Sequence, residues 1–441
     1  MKATVNRRSF GTSVLILTLC LSFASQAAAQ RDNPLRRGSA DGGQFPEFTD
    51  DQIQQTSFLD ESSHDTSVVV SEDGCCDSCG DISCNGCWHG CIPVWGSIEY
   101  LLWWQQDANL PPMATTSAAG TDRNVAGILG ESGTEIIWGG DVATDALSGG
   151  RLTVGVWLDP CARIGIAGRG FALQQGSAEF SADSTTVPIL ARPFFNAFTG
   201  VEDAFLYGYP AELTGSVDIA LESEVHGIQT FLRHELRRGC NYRIDSVLGY
   251  RYLGVSESLQ INSATEFIDS SESQFGTVIE QFDLFDVEND FNGGEIGIMG
   301  HSVDGRWTLD FHATVSLGEM RQRATVAGSS VVTPAGLPGT ELIGGLLTQE
   351  SNIGIYEANH FTVIPEASFT LGYFITPRLD LSVGYTFLYV NRLSRPGQVV
   401  DHEVNLTQQT GPLEGPARPE FVFRDSDYWL QGLNIGLNLR Y

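Results

Sequence analysis

Between Arg378 and Leu393 apolar side chains occupy every second position: Leu379, Leu381, Val383, Tyr385 and Phe387 alternate with Asp380, Ser382, Gly384 and Thr386. A period of two belongs to a β-strand with one apolar and one polar face. The run before it repeats the pattern, with Val363, Pro365, Ala367, Phe369, Leu371 and Tyr373 on one face and Thr376-Pro377 as a short turn, so the two predict a hairpin. Similar hairpins centre on Asp159-Pro160-Cys161, Arg238-Gly239-Cys240-Asn241 and Asp304-Gly305. After the last of these, Trp307, Leu309, Phe311, Ala313, Val315 and Leu317 share a face opposite Thr308, Asp310, His312, Thr314 and Ser316.

A first strand from about Trp95 to Gln106 and a last from about Asp427 to Tyr441 bring the expected number to about ten, or twelve if Thr134 to Trp138 and another loop segment join the wall. Four tight turns then alternate with long connections near residues 107–149, 176–212, 265–285, 329–357 and 394–425. Alternation of faces does not by itself separate a lipid-facing wall from a sandwich core. An even strand count with short turns on one side and long loops on the other does, and it predicts an all-β fold: a transmembrane antiparallel up-and-down β-barrel with long outer loops and short periplasmic turns. The chain end agrees. Leu433, Ile435, Leu437, Leu439 and Tyr441 face one way and Asn434, Gly436, Asn438 and Arg440 the other, and Asn434, Gly436, Leu439 and Tyr441 resemble the C-terminal insertion signal of bacterial outer-membrane barrels.

The other end reads as an export signal over residues 1–29, with Lys2, Arg7 and Arg8 ahead of the apolar stretch Val14 to Phe23 and Ala27-Ala28-Ala29 for cleavage. Residues 30–93 are polar and acidic with little periodicity, as expected of a flexible segment, and residues 94–441 form the barrel. The whole chain carries a net charge of −29; without the three basic residues of the signal, 22 basic face 54 acidic residues. Such a charge disfavours nucleic acid as a partner and suits a surface that attracts cations.

Val94-Trp95-Gly96-Ser97-Ile98-Glu99-Tyr100-Leu101-Leu102-Trp103-Trp104 and Asp245-Ser246-Val247-Leu248-Gly249-Tyr250-Arg251-Tyr252-Leu253 resemble β-barrel porin family seven of planctomycete bacteria, over roughly residues 94–441. The resemblance implies location and architecture and carries no catalytic or binding motif.

Cys75, Cys76, Cys79, Cys84, Cys87 and Cys91 crowd one stretch. Thiolates at Cys-x-x-Cys spacing suit a metal, but export into an oxidising compartment favours disulfides, within the chain or to other envelope proteins. Cys161 and Cys240 fall in tight turns on one rim, which predicts a bridge between them. The register turns Arg163, Arg251, Asp310, His312, Glu319, Glu366 and Arg440 into the lumen, with Glu295 and His301 beside them. These charges make either a filter or a salt-bridged plug. A ten-stranded barrel is narrow, which favours the plug. Asp283, Asp286, Glu288 and Asp290 suggest calcium, but their spacing is not that of a calcium loop, so a solvated acidic loop is expected. Linear enzyme signatures are absent, and His226, His234, His312 and His360 are read as structural or exposed, with no catalytic residue, cofactor or metal expected.

These readings converge on an outer-membrane barrel that contacts outer-membrane lipid and the barrel-assembly machinery. Its expected function is passive diffusion of small, cationic solutes; the alternatives are a structural or adhesive surface protein anchored by a closed barrel and, third, a barrel enzyme.

Overall fold

A computed structural model describes residues 94–159 and 161–440, with the side chains of Thr410 and Arg440 outside the description. The export signal, the acidic segment, Cys75 to Cys91 and Tyr441 lie outside the described residues. In chain order the strands are β1 (Val94–Gln105), β2 (Ala108–Ser117), β3 (Thr134–Val142), β4 (Leu147–Trp157), β5 (Ile164–Leu173), β6 (Gly176–Asp183), β7 (Leu190–Asn196), β8 (Val201–Gly208), β9 (Leu213–Arg238), β10 (Tyr242–Phe267), β11 (Val278–Asp304), β12 (Trp307–Thr333), β13 (Thr340–Ile343), β14 (Gly354–Thr376), β15 (Leu379–Leu393), β16 (Glu403–Val404) and β17 (Ser426–Arg440).

Ten of these close into a ring through antiparallel pairings, in the order β10-β11-β12-β14-β15-β17-β1-β4-β5-β9, with β9 pairing back to β10. The four expected hairpins are present as β4–β5, β9–β10, β11–β12 and β14–β15. Their turns are tight because the residues allow it: Gly305, between β11 and β12, has φ 59°, a conformation that side chains with a Cβ seldom adopt. The last strand pairs with the first over Trp95↔Arg440 to Gln105↔Leu430, so the insertion-signal strand is the seam that closes the barrel.

Two expectations need correction. Thr134 to Trp138 do not join the wall but belong to β3, which pairs with β2 in a separate sheet of order β16-β7-β2-β3, with β8 on β7; the sheet of the wall reaches twelve strands through β6, which pairs with β9, and β13, which pairs with β12. The long connections are also partly wall. Strands β9 to β12 run for 26 or 27 residues, roughly 90 Å along each strand, whereas about ten residues cross a bilayer.

The outer surface shows where crossing ends. On β12, Trp307, Leu309, Val315 and Leu317 face out and are exposed, and this apolar stretch of about eleven residues matches one bilayer crossing. The next outward residues are Glu319, Arg321 and Arg323. At that same height the inner face becomes apolar, with Met320, Ala324 and Val326 buried. Neighbouring strands repeat the exchange: β11 exposes Ile296 and Ile298 below but buries Phe285, Val287 and Phe291 above, and β10 exposes Leu248 and Tyr250 but buries Leu253, Val255, Leu259 and Ile261. Below the boundary the wall is a membrane barrel, apolar outside. Above it the same strands form a water-facing barrel whose core is inside, and the second sheet fills that core: Leu110, Met113, Leu190, Phe194 and Val404 pack against Val217, Ile219, Leu259, Phe285 and Val326.

Candidate functional site: the barrel lumen

Inward side chains of the membrane part are polar and paired with one another. Arg151 on β4 forms a bidentate ion pair with Glu99 on β1, at 2.6 and 2.8 Å. Arg251 on β10 donates to Glu366 on β14 and lies 3.4 Å from Glu295 on β11. Glu295 also accepts from Gln229 at 2.8 Å and from Ser316 at 3.1 Å. Asn434 on β17 accepts from the Trp103 indole at 2.8 Å and donates to Thr386 at 2.7 Å. The inward charges therefore brace one strand against another across the lumen, with Arg251 linking strands that are three places apart in the ring.

Toward the short turns the lumen widens. His301 and Asp310 form a hydrogen-bonded pair at 2.6 Å, and His312 lies 2.9 Å from Arg169. Arg233 and Arg243 both bind Asp245 at 2.6 Å and stack over Trp157. Trp95 lies flat against β4: a methyl group on Gly155 would sit 2.3 Å from its indole, so glycine there is what admits the ring.

Of the residues expected in the lumen, Arg251, Asp310, His312, Glu366, Glu295 and His301 face inward. Two do not. Arg163 is exposed in the turn before β5 begins, and the inward arginine of that strand is Arg169. Glu319 is exposed on the outer face, because odd positions of β12 point outward and Glu319 stands just past the apolar belt. The Arg440 side chain lies outside the described residues. Sequence reading did not single out Glu99, Arg151, Arg169, Arg233 or Arg243, although the alternation of β1, β4, β5 and β9 carries that information.

The remaining candidates separate. Asp283 faces inward and is buried, while Asp286, Glu288 and Asp290 occupy the opposite parity, so the four do not converge on a cation and the segment is strand β11, not a loop. His226 and His234 sit on the outer parity of β9, whereas His312 and His360 are on the inner parity of the β12–β14 ladder but eight positions apart along it, in the pairs His312↔Ser368 and Met320↔His360. Cys161 is engaged in a disulfide, and Cys240 is exposed on the adjacent turn. The two turns touch through the Arg238 guanidinium, which donates to the Ala162 carbonyl.

Above the polar tier lies a dry layer to which every wall strand contributes: Leu101, Leu147, Phe171, Val225, Leu253, Phe291, Met320, Ile364, Leu388 and Tyr428 from β1, β4, β5, β9, β10, β11, β12, β14, β15 and β17 in turn. All have 0% exposure except Leu147 at 2% and Phe171 at 9%. A water-filled passage would leave wall side chains wetted, so this layer is packed shut. Over it, Arg395 pairs with Glu257 at 2.7 Å, and higher still Arg192 pairs with Asp283 at 2.7 Å. Burial acts against the Arg192 charge, but the adjoining Asp283 outweighs it and raises the guanidinium pKa above its ordinary value.

Residues 95–441 match the model of a family described as "Putative beta barrel porin-7 (BBP7)". Among solved structures the chain is similar to the outer membrane protease OmpT from Escherichia coli, at 11% identity and a TM-score of 0.40, covering 79% of this chain and 97% of that one. It is also similar to the toluene transporter TodX of P. putida, at 8% identity and a TM-score of 0.19, covering 79% and 90%. No curated protein matches the sequence.

Proposed function

Since the chain belongs to the beta barrel porin-7 family, we propose that it is a closed outer-membrane barrel, a structural anchor that lifts its capped extension and acidic outer face above the membrane, and not the passive cation channel that its composition suggests. One observation supports this reading: the ring of buried apolar side chains from all ten strands, which lies across the lumen among the described residues. The ion pairs beneath it act as braces. The fixed charges that would filter ions, Asp310 and Glu366, are bound to His301 and Arg251.

In this reading the short turns face the periplasm, the partners are outer-membrane lipid, the assembly machinery and envelope proteins, and no solute crosses the barrel. The test is deletion of the gene together with proteoliposome swelling. The anchor predicts weakened envelope integrity with solute uptake unchanged, and liposomes that exclude small sugars. Swelling of wild-type proteoliposomes at the rate of an open porin would overturn it.

A further inference from the structure

The lumen below the ion-pair tier is a cavity of about 440 Å³ facing the short turns, within the size range of small-molecule sites. Four guanidiniums line it, Arg151, Arg169, Arg233 and Arg243, against two carboxylates, Glu99 and Asp310. Both carboxylates are engaged, Glu99 with Arg151 and Asp310 with His301, while the buried, inward-facing Asp245 serves Arg233 and Arg243. Arg169 has no carboxylate in ion-pair range among the described residues; its nearest partners are Thr153 and His312. In a chain of net charge −29, this chamber holds a surplus of positive charge.

The hydrogen-bonding accounts point the same way. Arginine can only donate, so the 2.9 Å contact from Arg169 makes His312 Nδ1 the acceptor and leaves the proton on Nε2. That Nε2, Trp95 Nε1 and Arg243 Nη2 are buried without a hydrogen-bond partner. All three are N–H donors on the wall of one cavity, and no lining acceptor is likewise orphaned among the described residues. Buried donors are normally satisfied, so three together mark a place for acceptor oxygens. The remaining wall is apolar, from Trp157, Met299 and Phe311, and the volume exceeds that of a lone inorganic ion.

We propose that this chamber binds a small organic carboxylate, entering from the short-turn side, with its oxygens on Arg169, His312 Nε2 and the Trp95 indole and its carbon skeleton against the apolar wall. The inference does not depend on whether the lumen conducts, so its failure and that of the anchor reading are separable.

Calorimetric titration of the full chain in detergent micelles tests it, with benzoate as the probe and benzamide and inorganic phosphate as controls. Saturable benzoate binding is expected, at least tenfold weaker for benzamide, for phosphate and for R169Q, and unchanged in the outer-face variant R321Q. Absence of benzoate binding, equal binding of either control, or wild-type affinity in R169Q would overturn the proposal. Should R169Q fail to show the heat-shifted gel migration of a folded barrel, W95F removes one donor and keeps an aromatic ring; it should weaken benzoate severalfold, and an unchanged affinity contradicts the site.

Discussion

Arg395, in the segment that follows β15, reaches across the lumen to Glu257 on β10, four strands away in the ring, and holds it through two hydrogen bonds of 2.7 Å. Both side chains are almost fully buried, at 4% and 0% exposure. The same guanidinium donates to the Gln106 and Asp107 carbonyls and lies over the Tyr428 ring. One side chain thus ties the connection after β15, the end of β1 and the far wall together, directly above the apolar layer.

Breaking that tie leaves a charge buried without its partner. Glu257→Ala should destabilise the fold by about 3–5 kcal/mol, and Arg395→Met added to Glu257→Leu should recover most of the loss, because an apolar pair of similar volume is tolerated where a lone charge is not. Denaturant unfolding in lipid vesicles, followed by tryptophan fluorescence, measures both. A double variant as unstable as the single one would show that packing, not charge, dominates at this point.

Asp283 is the second tie. It binds Arg192 and accepts hydrogen bonds from the Leu347 and Thr348 amides at 3.0 and 2.9 Å and from the Thr348 hydroxyl at 2.7 Å. Asp283→Ala should release the 344–353 connection and the second sheet while sparing the membrane part. Limited proteolysis of the variant is expected to cut within that connection and to leave a heat-modifiable core. A proteolysis pattern identical to wild type would contradict this role.

The boundary on the outer surface makes a positional prediction. Val383→Arg, in the apolar belt, should lower stability by about 2–4 kcal/mol, whereas Ile355→Arg, exposed on β14 above the belt, should change it by no more than about 0.5 kcal/mol. Reversible unfolding in phosphocholine vesicles compares them. Equal effects would mean that the belt is not where lipid lies.

That boundary also explains what could be read from the chain. Ring order, the four hairpins and the closing strand follow from runs such as Leu379 to Phe387, where the apolar phase is constant. Strand length was hidden because the phase inverts at the membrane surface. On β12 the apolar residues are odd-numbered up to Leu317 and even-numbered from Met320, with Gly318 between, so one strand of 27 residues reads as a strand followed by a loop. Asp283 to Asp290 read as an acidic loop for the same reason, since the buried Phe285 and Val287 alternate with acids in the inverted phase. The lumen was legible where parity was followed, as at His312 and Glu366, and missed where a turn or a boundary intervened, as at Arg163 and Glu319. The apolar layer was not legible at all, because Leu101, Phe291 and Leu388 become neighbours only when the ring closes.

Closure of the lumen is tested most directly by single-channel recording from the purified chain in planar bilayers across a salt gradient. The closed barrel predicts no stable current from folded wild-type protein, and the appearance of discrete steps when Phe291, Leu388 and Tyr428 are replaced together by glycine. Steady cation-selective steps from the wild type would contradict it.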